Sequence, residues 1–295
     1  MANFCIECGN PVQPHWKFCP SCSTPVYCRP KSIIQYSPVI KKRIRKKPLT
    51  RFQTKAIIIG TVISIAAVII PIVSVFSYNY NNPKRTVQFY VNNGLTPSSY
   101  TVITTRSTLD YYSEQPHPSH SSIDPYNTAL IIESYCTLND ELLIEIAQDV
   151  RSKCVDQGDS EEVINALLSF TQAIGYKSEV IDRAKYPIET IFNKGDCEDL
   201  SVLFGSLISI LGFEAVLVIL SVYNEVELEW MGHACIGVYL NFTPTQHWSY
   251  PPSHSFTIDG DEYWICETTD QGWMIGALPT SNPSYFVMEG YAFID

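Results

Sequence analysis

Twenty-one consecutive residues without a charge, Ala56 to Phe76 (AIIIGTVISIAAVIIPIVSVF), constrain this 295-residue chain more than any other feature. As an α-helix the run is about 31 Å long at 1.5 Å per residue, the thickness of a bilayer's hydrocarbon core. A buried helix of a soluble domain would carry a polar stripe, and this run has none. A cleaved signal peptide has a short basic leader and an apolar stretch of about 7 to 15 residues; here fifty-five residues come first. The expectation is a single membrane-spanning helix, kinked at Pro71 without being ended by it.

Charge divides sharply across that run. Residues 1–55 hold eleven Lys and Arg against one acid, Glu7, a net +10; residues 56–295 hold nine against twenty-nine, a net −20. Lys41, Lys42, Arg43, Arg45, Lys46, Lys47, Arg51 and Lys55 precede the span, and only Lys84 and Arg85 lie close behind it. Positively charged flanks stay on the cytoplasmic side, so the N-terminus is expected inside and the larger C-terminal part outside the cell membrane. Tyr78 and Tyr80 suit the far headgroup layer. The basic run is expected to meet anionic lipid, nucleic acid being the weaker reading, and the acidic part excludes nucleic-acid binding there.

Within the basic part stands FCIECGNPVQPHWKFCPSCSTP, with Cys5-x-x-Cys8 and Cys19-x-x-Cys22 ten residues apart. Each pair sets two thiolates on a tight turn, Gly9 following the first, and two such turns complete a tetrahedral four-sulfur site for Zn²⁺. So short a segment buries too little to fold without metal, and a reducing cytoplasm keeps its thiols free; disulfides would need the opposite topology. His15 and Cys28 are not needed as ligands. A full shell leaves no open position, so the expected zinc is structural. The spacing resembles the small zinc ribbons at the N-termini of many bacterial and archaeal membrane proteins; a cytoplasmic protein partner docking on the ribbon belongs to the non-catalytic reading given below.

The chain then divides into a zinc ribbon at 1–28, a basic juxtamembrane linker at 29–55, the span at 56–76, an extracytoplasmic linker with short strands at 77–135, and an outer domain at 136–295. After SYNYNNPKR, residues 86–135 mix Thr, Val, Tyr and Ile with Pro- and Ser-rich breaks. From Asn139, LLIEIAQDV and EEVINALLSFTQAIG have helical spacing, with Asn139 and Ser160 as caps. A short helical segment near Ile188–Phe192 leads to GDCEDLSVLFGSLISILGF, an apolar helix opening at Asp196 and closing at Gly212. EAVLVILSVY, HACIGVYL, EYWICETT and SYFVMEGYAFI read as strands. Helices followed by antiparallel strands make an α+β domain.

Cys197 opens the central helix, where backbone N–H groups and the helix dipole favour a thiolate, although Glu198 and Asp199 oppose it and a cationic partner is required. A free N–H of that turn could face an oxyanion. His233 opens a strand thirty-six residues later, and Glu267 ends another thirty-four residues after that. If those strands pair, base and carboxylate lie on one face above the helix N-terminus.

GDCEDLSVLF, GHACIGV and YWICETT resemble the three motifs of the transglutaminase-like, papain-like superfamily, particularly its membrane-anchored archaeal members, over roughly residues 185–275. The resemblance implies a central helix with an N-terminal Cys against an antiparallel sheet, Cys197 as nucleophile, His233 as general base and acid, and Glu267 where the family usually has Asp, with Asp270 and Asp261 as weaker candidates. It implies acyl transfer on a peptide or protein outside the membrane, by hydrolysis or to an amine. The rival is a non-catalytic module that presents the same cleft to a cell-surface peptide.

Three lesser features complete the reading. His117 and His120 fall in QPHPSHSS, read as a surface loop rather than a metal site. Tyr239 to Asp259 is a long polar connection, either a lid or plain surface, and Asn241 heads a glycosylation sequon usable only outside the cell. No disulfide is expected: Cys136 and Cys154 flank a predicted helix on the order of 20 Å long, and Cys235 and Cys266 should point to opposite sheet faces.

Overall fold

The computed structural model describes residues 3–4, 11–12, 82–91, 97–119, 124–179, 183–224, 228–246, 254–278 and 286–294. The apolar run 56–76, the basic residues before it, Tyr78, Tyr80, His15, Cys28, His120 and the motif cysteines Cys5, Cys8, Cys19 and Cys22 lie outside these. Among the described residues no helix is long and apolar enough to cross a membrane. The chain divides into units 1–65 and 66–295. In the first, β1 (Asn3–Phe4) pairs antiparallel with β2 (Pro11–Val12), and the residues connecting them include Cys5-x-x-Cys8.

The first described element of the second unit is a hairpin, β3 (Lys84–Val91) against β4 (Ser98–Thr105), in unbroken register from Lys84↔Thr105 to Val91↔Ser98. Tyr100, Val102 and Thr104 are buried while Thr101 and Ile103 are exposed, the alternation of a strand wet on one face. The expectation of strands and loops for this region holds for the hairpin but not beyond it. Arg106–Ser113 forms helix α1 and Pro125–Glu133 forms α2. Their start signals sit inside the Pro- and Ser-rich stretch: the Thr105 hydroxyl accepts the Thr108 N–H, and Asp124 caps a helix opened by Pro125.

Helix α3 (Glu141–Ser152) is capped by Asp140, and α4 (Ser160–Ile174) by Asp159. Each start is one residue from the predicted Asn139 and Ser160, because a carboxylate occupies the cap: Asp140 Oδ1 accepts the Leu143 N–H (3.0 Å) and Asp159 Oδ1 that of Glu161 (2.9 Å). Next come α5 (Pro187–Asn193) and α6 (Cys197–Ile210), which ends ahead of Gly212 at φ 83°.

Strands β5 (Ala215–Asn224), β6 (Glu229–Tyr239), β7 (Ser255–Ile258), β8 (Asp261–Cys266) and β9 (Phe286–Phe293) form an antiparallel sheet in the order β7-β8-β6-β5-β9. The short β7 falls within the predicted polar connection Tyr239–Asp259. Helix α6 covers one face, where Leu200, Leu203 and Leu207 pack with Ile236, Val238, Trp264 and Cys266; Val216, Val218, Leu220, Cys235, Tyr263 and Ile265 make a second apolar layer on the other. The architecture is mixed α+β. Its main core reaches well upstream of Cys136, through Tyr100, Val102, Tyr112, Ala129 and Ile132, and Phe170 of α4 meets Phe89 (5.6 Å) and Tyr100 (5.3 Å) edge-on.

Candidate active site at the N-terminus of helix α6

The local sequence around Cys197 dictates a tight entry into α6. A Cβ on Gly195 would lie 2.2 Å from that of Asp199, so only glycine fits there. Asp196 and Asp199 then form a reciprocal capping box around the first turn. Asp199 is fully buried and turned away from the cysteine: Lys185 Nζ sits 2.6 Å from its Oδ2, and the Lys185 N–H donates to Oδ1 at 2.6 Å. Lys185 also contacts Glu179 (2.8 Å) and donates to the Lys194 carbonyl (3.2 Å). Burial first raises Asp199, to about 6, with Lys185 restraining the rise.

On the sheet, β6 and β8 pair with Ile236 opposite Cys266. One step further along that register Glu267 faces Cys235, whose strand face His233 shares two residues away. The expected meeting occurs: His233 Nε2 and Glu267 Oε2 are 2.8 Å apart, leaving Nδ1 as the imidazole's second nitrogen. Glu267 Oε1 accepts both the backbone N–H (2.8 Å) and the hydroxyl (2.6 Å) of Thr269, which explains the second Thr of the ETT sequence. Burial alone would raise Glu267, yet His233 and Thr269 hold it down at about 2. Burial alone would lower His233, but Glu267 outweighs it, and the imidazole is raised. A hydrogen-bonded imidazole–carboxylate pair is therefore fixed between β6 and the end of β8, and among the described residues the thiol's hydrogen bond runs to Glu198 rather than to this imidazole. Asp270 accepts the Gln271 N–H and Asp261 opens the far end of β8, so neither takes this place.

Ala234, next to His233, joins the two halves. Its carbonyl accepts the Ser201 hydroxyl one turn further along α6 (3.1 Å), and its backbone lies within electrostatic reach of the Cys197 sulfur. Ser201 also reaches Thr268, next to Glu267 (3.5 Å). The first turn of α6 thus rests on the residues adjoining both members of the pair. The thiol itself donates to Glu198 Oε2 at 3.1 Å. Burial, then Glu198, push Cys197 well above the ordinary thiol value, while the Ala234 contact opposes them. Burial and Glu198 likewise push Asp196 up to about 7, and its buried Oδ1 has no hydrogen-bond partner among the described residues.

Glu198 is therefore a brake on thiolate formation. Glu198→Gln is expected to move the pH profile of Cys197 alkylation by iodoacetamide to lower pH and to raise the rate at pH 7 at least about threefold, since a one-unit shift changes the thiolate fraction up to tenfold. An unchanged profile would show that the carboxylate does not restrain the sulfur.

Spacing alone did not disclose the supporting residues. Gln172 of α4 donates to the carbonyls of Glu267 (2.7 Å) and Trp273 (2.9 Å), and Asn165 accepts the Ile275 N–H (3.0 Å). Glu161 accepts the backbone N–H groups of Thr245 and Gln246 (2.6 and 2.5 Å). Polar residues on a helix otherwise buried along its length are the signal that marks them. Tyr176, half exposed, bridges to Gly195 and lies in the electrostatic reach of Cys197.

His117 is not a surface residue. Its side chain is only 7% exposed, with Nε2 2.9 Å from Glu189 Oε2 and Nδ1 2.7 Å from the Gln115 carbonyl, because the fold brings α5 to a loop seventy-two residues earlier. Cys136, Cys154, Cys197, Cys235 and Cys266 are free thiols, and Cys235 and Cys266 occupy opposite apolar layers. A groove of about 810 Å³ beside Tyr111, Tyr112 and Glu145 lies apart from Cys197.

Comparison with known proteins adds one domain. Residues 4–26 match the zinc-ribbon domain family, a segment that holds Cys5, Cys8, Cys19 and Cys22. No curated protein matches the chain. Among solved structures, a Cytophaga hutchinsonii protein provisionally named a cysteine protease is similar at 17% identity and a TM-score of 0.32, over 72% of this chain and 73% of that one. The likeness is too distant to carry chemistry across.

Four thiolates in two Cys-x-x-Cys pairs suit tetrahedral zinc, and the connection between β1 and β2 carries the first pair. One zinc per chain is expected by metal analysis of the purified protein, falling to background in Cys8→Ser. Full zinc content in that variant would exclude this ligand set.

Proposed function

We propose that this chain is a membrane-anchored, transglutaminase-like cysteine acyl hydrolase or acyltransferase, with its zinc ribbon in the cytoplasm and the α+β domain outside. The observation that carries the chemistry is the largely buried His233–Glu267 pair, locked by Thr269, on residues adjoining those that hold Ser201 in the first turns of α6. The charge asymmetry about residues 56–76 supports the anchoring and its orientation.

The reaction begins when substrate displaces Glu198 from the thiol. His233 Nδ1 takes the Cys197 proton, the sulfur attacks a peptide or carboxamide carbonyl, and the first-turn N–H groups of α6 face the oxyanion. The C–N bond breaks as the imidazolium returns the proton to the departing amine, leaving a thioester. Water or an amine then attacks the thioester carbonyl, gives its proton to His233, and expels the thiolate. Glu267 holds the imidazole and stabilises its charged form throughout.

Acid quench during turnover of a peptide mixture, followed by mass spectrometry, should find an acyl group on Cys197, and protease added to intact cells should remove the acidic domain. An acyl group on another residue would overturn the mechanism. Digestion confined to the zinc ribbon would overturn the orientation.

A further inference from the structure

We propose that the groove of about 810 Å³ lined by α1 and the start of α3 is a docking site for a basic polypeptide segment, one that carries Lys or Arg at alternate positions. The assignment stands apart from the chemistry of Cys197 and does not depend on it.

Helix α3 presents Glu141, Glu145 and Asp149 in steps of four residues, all three exposed. Carboxylates so spaced share one helix face and repel each other, at a cost to the helix. Asp149 is answered from within the chain, by Lys153 Nζ at 2.6 Å from its Oδ2. Glu141 and Glu145 line the groove, and among the described residues neither has a hydrogen bond or ion pair and no Lys or Arg lines the groove with them. Asp140, beside them, is already committed to the fold by the Tyr112 hydroxyl and the Leu143 N–H. The two glutamates are thus the groups left to meet a cation.

An adjoining groove of about 400 Å³, which shares Ile103, Leu142 and Glu145 with the first, shows how this face holds an ammonium group. There Lys153 Nζ lies 3.8 Å over the Tyr100 ring while it pairs with Asp149. A cation between a phenol ring and a carboxylate gains from both. The first groove offers the same groups, with the exposed Tyr111 lining it alongside Glu141 and Glu145. Four helical residues advance about 6 Å, and alternate residues of an extended chain about 6.7 Å on one side, so two basic side chains spaced Lys-x-Lys meet the two glutamates while adjacent ones point apart. A cavity of this volume takes a ligand of several residues, not one ammonium ion. The net −20 of residues 56–295 steers cationic partners in and turns anionic lipid and nucleic acid away.

The test measures the fluorescence anisotropy of labelled heptapeptides on the full-length protein in phosphatidylcholine nanodiscs. A Lys-x-Lys peptide in a Gly and Ser background is expected to bind saturably, about fivefold or more tighter than its Lys-Lys isomer, and less tightly as salt rises. Glu141→Gln with Glu145→Gln should weaken that binding about tenfold or more, since two charge-assisted contacts are lost together. Glu229→Gln with Glu289→Gln removes as much charge from exposed positions on β6 and β9 and should change it less than about twofold. Isomers that bind equally, or equal losses in the two double variants, would reduce the binding to the general attraction of an acidic domain and overturn the site. Spermidine that competes as tightly as the peptide would overturn the polypeptide in favour of a polyamine, and an absence of saturable binding would overturn both.

Discussion

Cys197→Ala and His233→Ala are each expected to lower peptide turnover by at least about 10³-fold, because nucleophile and base act as one unit and either loss removes the thioester route. Glu267→Gln should be milder and more informative, with a loss of about 10²- to 10⁴-fold, the range that an orienting carboxylate commands. The structure says why. One carboxylate oxygen receives two donors from Thr269 and the other faces His233. An amide must turn its NH₂ toward one of these, either clashing with the Thr269 donors or holding the imidazole in the wrong tautomer, and it no longer stabilises the imidazolium. Turnover at the wild-type rate in Cys197→Ala would end the mechanism; a wild-type rate in Glu267→Gln would show that the pair is only structural.

Lys185→Met is expected to destabilise the α+β domain by about 3–5 kcal/mol at pH 7.5, the cost of leaving one partner of a buried ion pair alone. Asp199 is fully buried and Lys185 mostly so, which keeps solvent from softening the loss. The pH dependence has a definite sign. Asp199 stands at about 6 in the fold against an ordinary 3.8, so the native state takes up its proton first, and stability associated with this group rises as pH falls through that window. Removing Lys185 takes away a lowering influence and moves the carboxyl higher still. The variant's deficit in urea midpoint should therefore shrink from pH 7.5 to pH 5. A deficit independent of pH would place the cost in lost packing of the lysine stem instead.

How much of this was legible beforehand depended on the range of the interactions involved. Charge around an apolar run, paired Cys-x-x-Cys turns and the capping of α6 by Asp196 are local patterns, written within a few residues. So was the order of Cys197, His233 and Glu267, together with the period-two facing that separates Cys235 from Cys266. Helices α1 and α2 were missed because their caps stand among Pro and Ser, which read as breaks until a core forms on Ala129 and Ile132.

Long-range partnership was decided by the tertiary structure alone. Glu189 lies seventy-two residues from His117, Gln172 ninety-five from Glu267, and Lys185 fourteen from Asp199. Each is a polar group taken out of water, where an unmet hydrogen bond or charge is costly, so each must find whatever complement the packing brings near. Sequence determined which residues have the chemistry of nucleophile, base and carboxylate. Only the packing of α6 on β6 decided that the Ala234 carbonyl would hold Ser201, and that Glu198 would restrain the sulfur, because backbone direction at a sheet edge has no signature in residue type.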